Sequence, residues 1–272
     1  MSKPLELLID ADMIVHGACV AVEEDVCFEG RYHILWSDWE NARNVAEDHI
    51  MHLCEHAGTD NYRMVFSCPT YNWRKDLDPT YKLHRKPSRK PLAFWDLREY
   101  FEKDPRTVHI PRLEADDVLG IIHTDPTYEY DTILWSGDKD LKQVPGKRLE
   151  MEEVVVVPKD AGDRFHMEQT LAGDVTDGYP GCPGVGNARA AKFVAAFEKY
   201  ERYEYEISRG PRKGTIVDKW EPVPAENMWE VVTSVYEMQG SNASQALHQA
   251  RLARILQYGE YKNGKVNLWQ PD

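Results

Sequence analysis

The sequence predicts an α/β fold, a central sheet flanked by helices, with a more helical region behind it. Three observations carry this. Short β-favouring apolar runs end in polar tips, helix-forming stretches lie between them, and from about Asp160 the character changes to helices joined by glycine-rich turns. "LELLID" ends in Asp10 and fits a buried strand that delivers a carboxylate at its carboxyl end. "SDWENARNVAEDHIMHLCEHAG" reads as a helix, with Ser37 or Asp38 as its cap and Gly58 as its stop. "YRMVFS" (Tyr62 to Ser67) and "DTILWSGDKD" (Asp131 to Asp140) repeat the strand-and-tip form, and "EADDVLGIIH" reads as a helix between them. Met151 to Val157 suggests a further strand. Beyond Asp160, "ISRGPRKGTIVDKWEPVPAE" reads as an irregular insert, and "NMWEVVTSVYEM" and "SQALHQARLARILQY" as two helices. The expected division is an α/β core over 1–160 and a helical region over 161–272. Sites in such sheets open beyond the carboxyl ends of the strands.

At 272 residues the chain can bury a sizeable core, and its 42% apolar and 29% charged residues are those of an ordinary soluble protein. No apolar run approaches the roughly 20 residues needed to span a bilayer, and "LELLI" is too short for a signal sequence. Five scattered cysteines without a CxxC pair read as reduced thiols, so a cytoplasmic location is expected. Without export, the Asn242-Ala243-Ser244 sequon carries no weight. A net charge of −13 opposes nucleic-acid binding unless the acids are gathered to hold cations.

Such a gathering is visible. Asp10 (with Asp12), Glu114/Asp116/Asp117, Asp138/Asp140 and Asp174/Asp177 each stand at a strand end or helix start. Two carboxylates about 4 Å apart repel by roughly 4 kcal/mol at an effective dielectric near 20. A divalent cation relieves that repulsion, and oxygen-only donors favour Mg²⁺ or Mn²⁺ over Zn²⁺. Two such ions can activate a water against a phosphodiester. Taken singly, each acid is an ordinary turn or cap residue; it is the set in this order that argues for a site.

After the last acidic pair comes "PGCPGVGNARAAKFV". Gly181, Gly184 and Gly186 permit close turns, and the helix behind them presents amide N–H groups suited to a phosphate, with Arg189 and Lys192 adding charge. A plain helical hairpin is the alternative. "NWRKDLDPTYKLHRKPSRKPLAFW" carries Arg74, Lys75, Lys82, Arg85, Lys86, Arg89 and Lys90 among Tyr71, Trp73 and Tyr81, a mixture suited to nucleic acid. A solvated basic loop is its ordinary reading. His49, His52, Cys54 and His56 cluster in "HIMHLCEH", but ligands so close on one helix do not readily surround one ion, so surface or packed histidines are expected.

Together these motifs resemble the 5′-nuclease superfamily of flap endonucleases and polymerase 5′-nuclease domains, and most of all the short 5′→3′ exonucleases of tailed bacteriophages. "LLIDAD", "DPTYKLHRK", "LEADDVLG", "SGDKDL" and "GDVTDGYPGCPGVG" match the family's motifs in order. The resemblance implies a PIN-like nuclease core with an arch near 70–112, then a helix–three-turn–helix DNA-binding region over 161–272. It implies two Mg²⁺ ions, with Mn²⁺ able to substitute. Asp10, Glu114, Asp116 and Asp117 would serve mainly one ion, and Asp138, Asp140, Asp174 and Asp177 mainly the other. Tyr81, Lys82 and Arg85 would lie in the arch, with Lys82 and Arg85 at the scissile phosphate. Arg74, Lys86, Arg89, Lys90 and the glycine loop would contact DNA, with K⁺ or Na⁺ at that loop. Implied partners are duplex DNA with a 5′ end, flaps, RNA–DNA hybrids and phage replication or recombination proteins.

One position departs from the pattern: Ser67 stands where the family carries an aspartate, and Asp12 is a candidate substitute. Two rivals remain in view. "DADMI" approaches the nucleophile motif of haloacid-dehalogenase phosphatases, except that Ile14 stands where Thr or Val belongs. The other rival is a DNA-binding member of the nuclease family with weakened catalysis.

Overall fold

The computed structural model describes residues 3–85 and 89–271, so Lys86 lies outside the described residues. In chain order the elements begin β1 (Leu5–Asp10), α1 (Ala11–Val22), β2 (Glu23–Phe28), β3 (Tyr32–Ser37), α2 (Trp39–Ala57) and β4 (Tyr62–Phe66). Then come α3 (Arg74–Leu77), α4 (Phe94–Glu102), β5 (Thr107–His109), α5 (Ala115–His123) and β6 (Asp131–Trp135). A 3₁₀ turn (Lys139–Gln143), β7 (Gly146–Glu150), β8 (Glu153–Val157), α6 (Lys159–Ala172) and α7 (Asn187–Ala196) follow. Last are β9 (Glu198–Glu206), β10 (Ile216–Pro224), α8 (Met228–Met238), α9 (Ala243–Ala253), β11 (Tyr261–Lys262) and β12 (Lys265–Val266). None of the described helices is long and apolar enough to cross a membrane.

The chain forms two compact units, each assembled from separate stretches. The first comprises 1–73, 86–159 and 255–267; the second comprises 74–85, 160–254 and 268–272.

The first unit is built on a six-stranded sheet in the order β5-β4-β1-β6-β7-β8, in which the first five strands are parallel and β8 runs antiparallel to β7. β1 is central, and five of its six residues are buried, as expected for a parallel strand covered on both faces. Leu7 and Ile9 join the core that α1, α2 and α4 contribute. The two-residue period turns Leu8 and Asp10 to the other face, and α5 packs on β1, β4 and β6. Successive strands leave β1 in opposite directions, β4 on one side and β6 on the other. The carboxyl ends at such a switch point leave a crevice, and Asp10 ends β1 there. α2 begins and ends as its sequence requires: the Asp38 side chain accepts from the Glu40 and Asn41 amides, and Gly58 takes φ 70°.

In the second unit, α6, α7, α8 and α9 share an apolar core that includes Leu171, Cys182, Val194, Val235, Tyr236 and Ala246. Between α7 and α8 the structure corrects the expected irregular insert. β9 and β10 pair antiparallel from Glu198↔Pro224 to Glu206↔Ile216, leaving only 207–215 as a loop. Pro222 and Pro224 disguise β10 in the sequence, but a two-stranded ribbon consists entirely of edges, where proline is tolerated. α9 stops at Ala253, and Arg254 is already extended.

Candidate functional site

In the first unit Asp10 is 5% exposed and caps α1, its side chain accepting from the Met13 amide. Ser136, just past β6, donates its hydroxyl to Asp10 Oδ2 at 2.8 Å and accepts from the Asp138 amide at 3.0 Å. Asp138 in turn caps the 3₁₀ turn by accepting from the Asp140 amide at 2.9 Å. Polar tips of adjacent parallel strands are thereby tied together. Burial, and then the charges of Asp12 and Asp138, push the Asp10 carboxyl up to about 7 even though Ser136 and Met13 favour its ionised form. The group therefore resists losing its last proton without a cation nearby.

Just beyond β4, the Asp12 carboxylate reaches position 67. Asp12 Oδ2 accepts from the Ser67 amide at 2.8 Å, and its Oδ1 takes Arg98 at 3.1 Å. Arg98 also donates to the Ser67 carbonyl at 2.8 Å. The Ser67 hydroxyl accepts from the Ala115 amide at 2.9 Å. Glu114, the residue preceding α5, offers that helix no side-chain cap, so Ser67 supplies one from another strand. It thereby fixes the first turn that carries Asp116 and Asp117.

Glu114 and Asp116 are half-buried, as are Asp138 and Asp140. Asp117 is fully buried, accepting from the Trp73 indole at 2.8 Å and the Leu256 amide at 3.2 Å. It anchors α5 to the loops around it. Sequence reasoning missed Ser136, Arg98 and the cap made by Ser67, because the two serines stand in loops without a periodic signal and Arg98 is one charged residue among several on α4.

In the second unit the groups converge on Asp177. Its Oδ2 accepts from the Tyr81 hydroxyl at 2.7 Å and lies 3.4 Å from Lys82 Nζ, and its Oδ1 takes Arg85 at 2.5 Å. The Lys82 amide donates to the Asp177 carbonyl at 2.8 Å, with Lys82 held at φ 57°. Tyr81 is 2% exposed and packs with Tyr179, Leu252 and Ala253, so it positions Asp177 from within. Asp174 organises the same loop, its Oδ1 accepting from the amides of Thr176 at 2.7 Å and Asp177 at 3.3 Å.

The glycine loop divides its labour. Gly173 and Gly181 lie backbone to backbone at φ 69° and 67°, where any Cβ would collide with the facing main chain. Gly184 is exposed at φ 70°, and its carbonyl accepts from Arg189 at 2.5 Å. Gly186 leads into α7 without a side-chain cap. Arg189 and Lys192 are exposed.

Two of the basic residues have structural partners. Arg74 is 3% exposed and donates to the carbonyls of Leu252 at 3.0 Å and Arg254 at 2.6 Å, which replaces the DNA contact expected from the sequence. Arg89 makes a bidentate pair with Glu23 at 2.8 and 2.5 Å. Lys90 is exposed, with its ammonium 4.6 Å from the Phe94 ring centroid.

The family model for the 5′-3′ exonuclease N-terminal, resolvase-like domain matches residues 7–171. An exodeoxyribonuclease of Enterobacteria phage T3 is 31% identical over 280 residues, covering 97% of this chain and 92% of that protein. The exonuclease of Escherichia phage T7 is 30% identical, covering 97% and 93%. Among solved structures, the bacteriophage T5 5′-exonuclease with bound zinc superposes with a TM-score of 0.59 at 13% identity, over 92% of this chain and 89% of that one. At that identity the superposition shows a shared fold.

Proposed function

This chain belongs to the 5′-3′ exonuclease family, and we propose that it is a Mg²⁺-dependent nuclease that hydrolyses duplex DNA inward from a 5′ end. The family match displaces the phosphatase reading of "DADMI". The observation that carries the proposal is Asp10 at the switch point of the sheet, with its carboxyl pushed up by burial and then by the charges of Asp12 and Asp138. Its surroundings offer oxygen donors, which suit a hard divalent cation, with Mn²⁺ able to substitute. When bound, the metal would supply the Lewis acidity that phosphodiester hydrolysis needs at neutral pH.

In the finer reading there are two ions. Asp10, Glu114 and Asp116 would hold one, and Asp138 and Asp140 the other. Asp117, expected from the sequence as a further ligand of the first, is fully buried with its oxygens on the Trp73 indole and the Leu256 amide and is assigned instead to fixing α5. On the second unit, Asp174 and Asp177 are also assigned to metal binding. Lys82 and Arg85 stand beside Asp177 and are assigned to the scissile phosphate, whose developing charge they would steady. Tyr81 is a positioning residue. Gly184, Gly186, Arg189 and Lys192 would hold the duplex backbone, where carbonyls such as that of Gly184 suit K⁺ or Na⁺. Flaps and RNA–DNA hybrids present the same 5′ phosphodiester and are proposed as further substrates, and other DNA-replication or recombination proteins as partners.

Duplexes labelled at the 5′ or the 3′ end, incubated with and without Mg²⁺, test the reading. Metal-dependent release of the 5′ label is expected, with Asp138→Ala and Asp174→Ala binding DNA but releasing none. Release from the 3′ end, or wild-type turnover in either variant, would overturn it.

A further inference from the structure

We propose that His52, His56 and Glu152 form a transition-metal site in the first unit, separate from the carboxylates assigned to Mg²⁺. His52 and His56 lie four residues apart on α2, so one helical turn brings their rings together, with centroids 4.4 Å apart. Glu152 arrives from the turn between β7 and β8 and places Oε1 3.5 Å from His52 Nε2. One donor atom from each residue lies within 4.8 Å of the other two, and among the described residues this trio is the group of His, Cys, Asp and Glu that meets that condition.

The objection raised by the sequence was that one helix cannot surround an ion. It lapses once the third ligand comes from another element. Cys54, 6% exposed, belongs to the core, and His49 packs edge-on against Trp135 at 5.2 Å, so neither joins the set. Ligands at ~2.0–2.1 Å from a tetrahedral zinc stand about 3.3–3.4 Å from one another. The His52–Glu152 pair is already near that separation, and His56 needs only a side-chain adjustment. Two imidazoles and one carboxylate, with water completing the shell, suit Zn²⁺, Co²⁺ or Ni²⁺ and not Mg²⁺.

The turn that presents Glu152 adds a second observation. Met151 and Glu152 take φ 44° and 70° in a two-residue hairpin turn whose favoured sequence is Asn-Gly. Glycine would relax the backbone there but would bring no ligand. An occupied site would clamp α2 to the β7–β8 hairpin and stabilise the first unit.

Metal-stripped, full-length protein titrated calorimetrically with Zn²⁺, in excess Mg²⁺ to occupy the carboxylates, tests the site. Wild type should bind one equivalent more than the His52→Ala/His56→Ala variant and melt at a higher temperature with Zn²⁺ than without. Glu152→Gln should bind that equivalent more weakly. Unchanged Mg²⁺-dependent cleavage in both variants checks that they fold. Equal Zn²⁺ uptake by wild type and both variants would leave only a close His52–Glu152 contact and overturn the site. Its failure would leave the nuclease reading untouched, because 5′-label release does not use these residues.

Discussion

Burial and the charges of Asp12 and Asp138 raise the Asp10 carboxyl from its ordinary 3.8 to about 7. The unfolded chain gives up that proton more readily than the folded one. The resulting penalty on folding is therefore absent below about pH 4, grows as pH climbs toward 7, and is full above it. Asp10→Asn cannot ionise, so in chelator at pH 8 it should melt above wild type, by ~2–4 °C for each kcal/mol of repulsion removed, while losing cleavage. Thermal denaturation read alongside nuclease assays checks both halves; a lower melting temperature would mean that the carboxylate does more to hold α1 than its charge does to strain it. Asp177 has different neighbours: Lys82 and Arg85 pair with it, and the Tyr81 hydroxyl donates to it.

Glu114 precedes α5 and Asp116 and Asp117 lie in its first turn, and that turn is held by a hydroxyl from elsewhere, Ser67 just after β4. That arrangement gives the position a job other than metal binding. Ser67→Ala removes the acceptor and should cost about 1 kcal/mol, within the usual ~0.5–2 kcal/mol for a lost N-cap. It should also lower kcat, since the first turn of α5 loses its anchor. Urea denaturation measures the first effect and steady-state kinetics the second; unchanged values for both would show that the Ala115 amide needs no partner there. At the same scale, the glycine loop joins α6 to α7 through the Gly173–Gly181 contact, which no side chain could enter.

At the scale of the whole molecule, each unit holds a neutral histidine, His123 partly buried and His166 fully so. In the first, burial and then the Arg148 charge push His123 down to about 4, and its Nδ1 shares a 2.7 Å hydrogen bond with the Thr132 hydroxyl. In the second, burial and then the Arg254 charge push His166 down to about 3, with Nε2 2.8 Å from the Ala250 carbonyl. Unfolded imidazoles protonate near 6.5, so this contribution to stability is present above that pH and is lost as pH falls toward 4 and 3. The slope is about 1.4 kcal/mol per pH unit for each histidine. Asp10 acts in the opposite direction over part of this range, so the Asp10→Asn background isolates the effect. In it, the melting temperature should drop from pH 6.5 to 4.5, and His166→Gln should flatten the decline; a flat profile before that substitution would show that these rings already accept protons in the fold.

What could be read from the chain alone was whatever repeats locally or stands in fixed order. Apolar runs marked β1, β4 and β6, Asp38 and Gly58 marked the ends of α2, and the spacing of the acids marked the family. Folding decided the partners. It brought Asp12 and Arg98 to Ser67, drew Arg74 away from solvent onto the Leu252 and Arg254 carbonyls, and set Glu152 beside a histidine a hundred residues earlier. Periodicity reports which face a side chain takes on its own element, whereas these pairings depend on which strands and turns lie side by side in three dimensions.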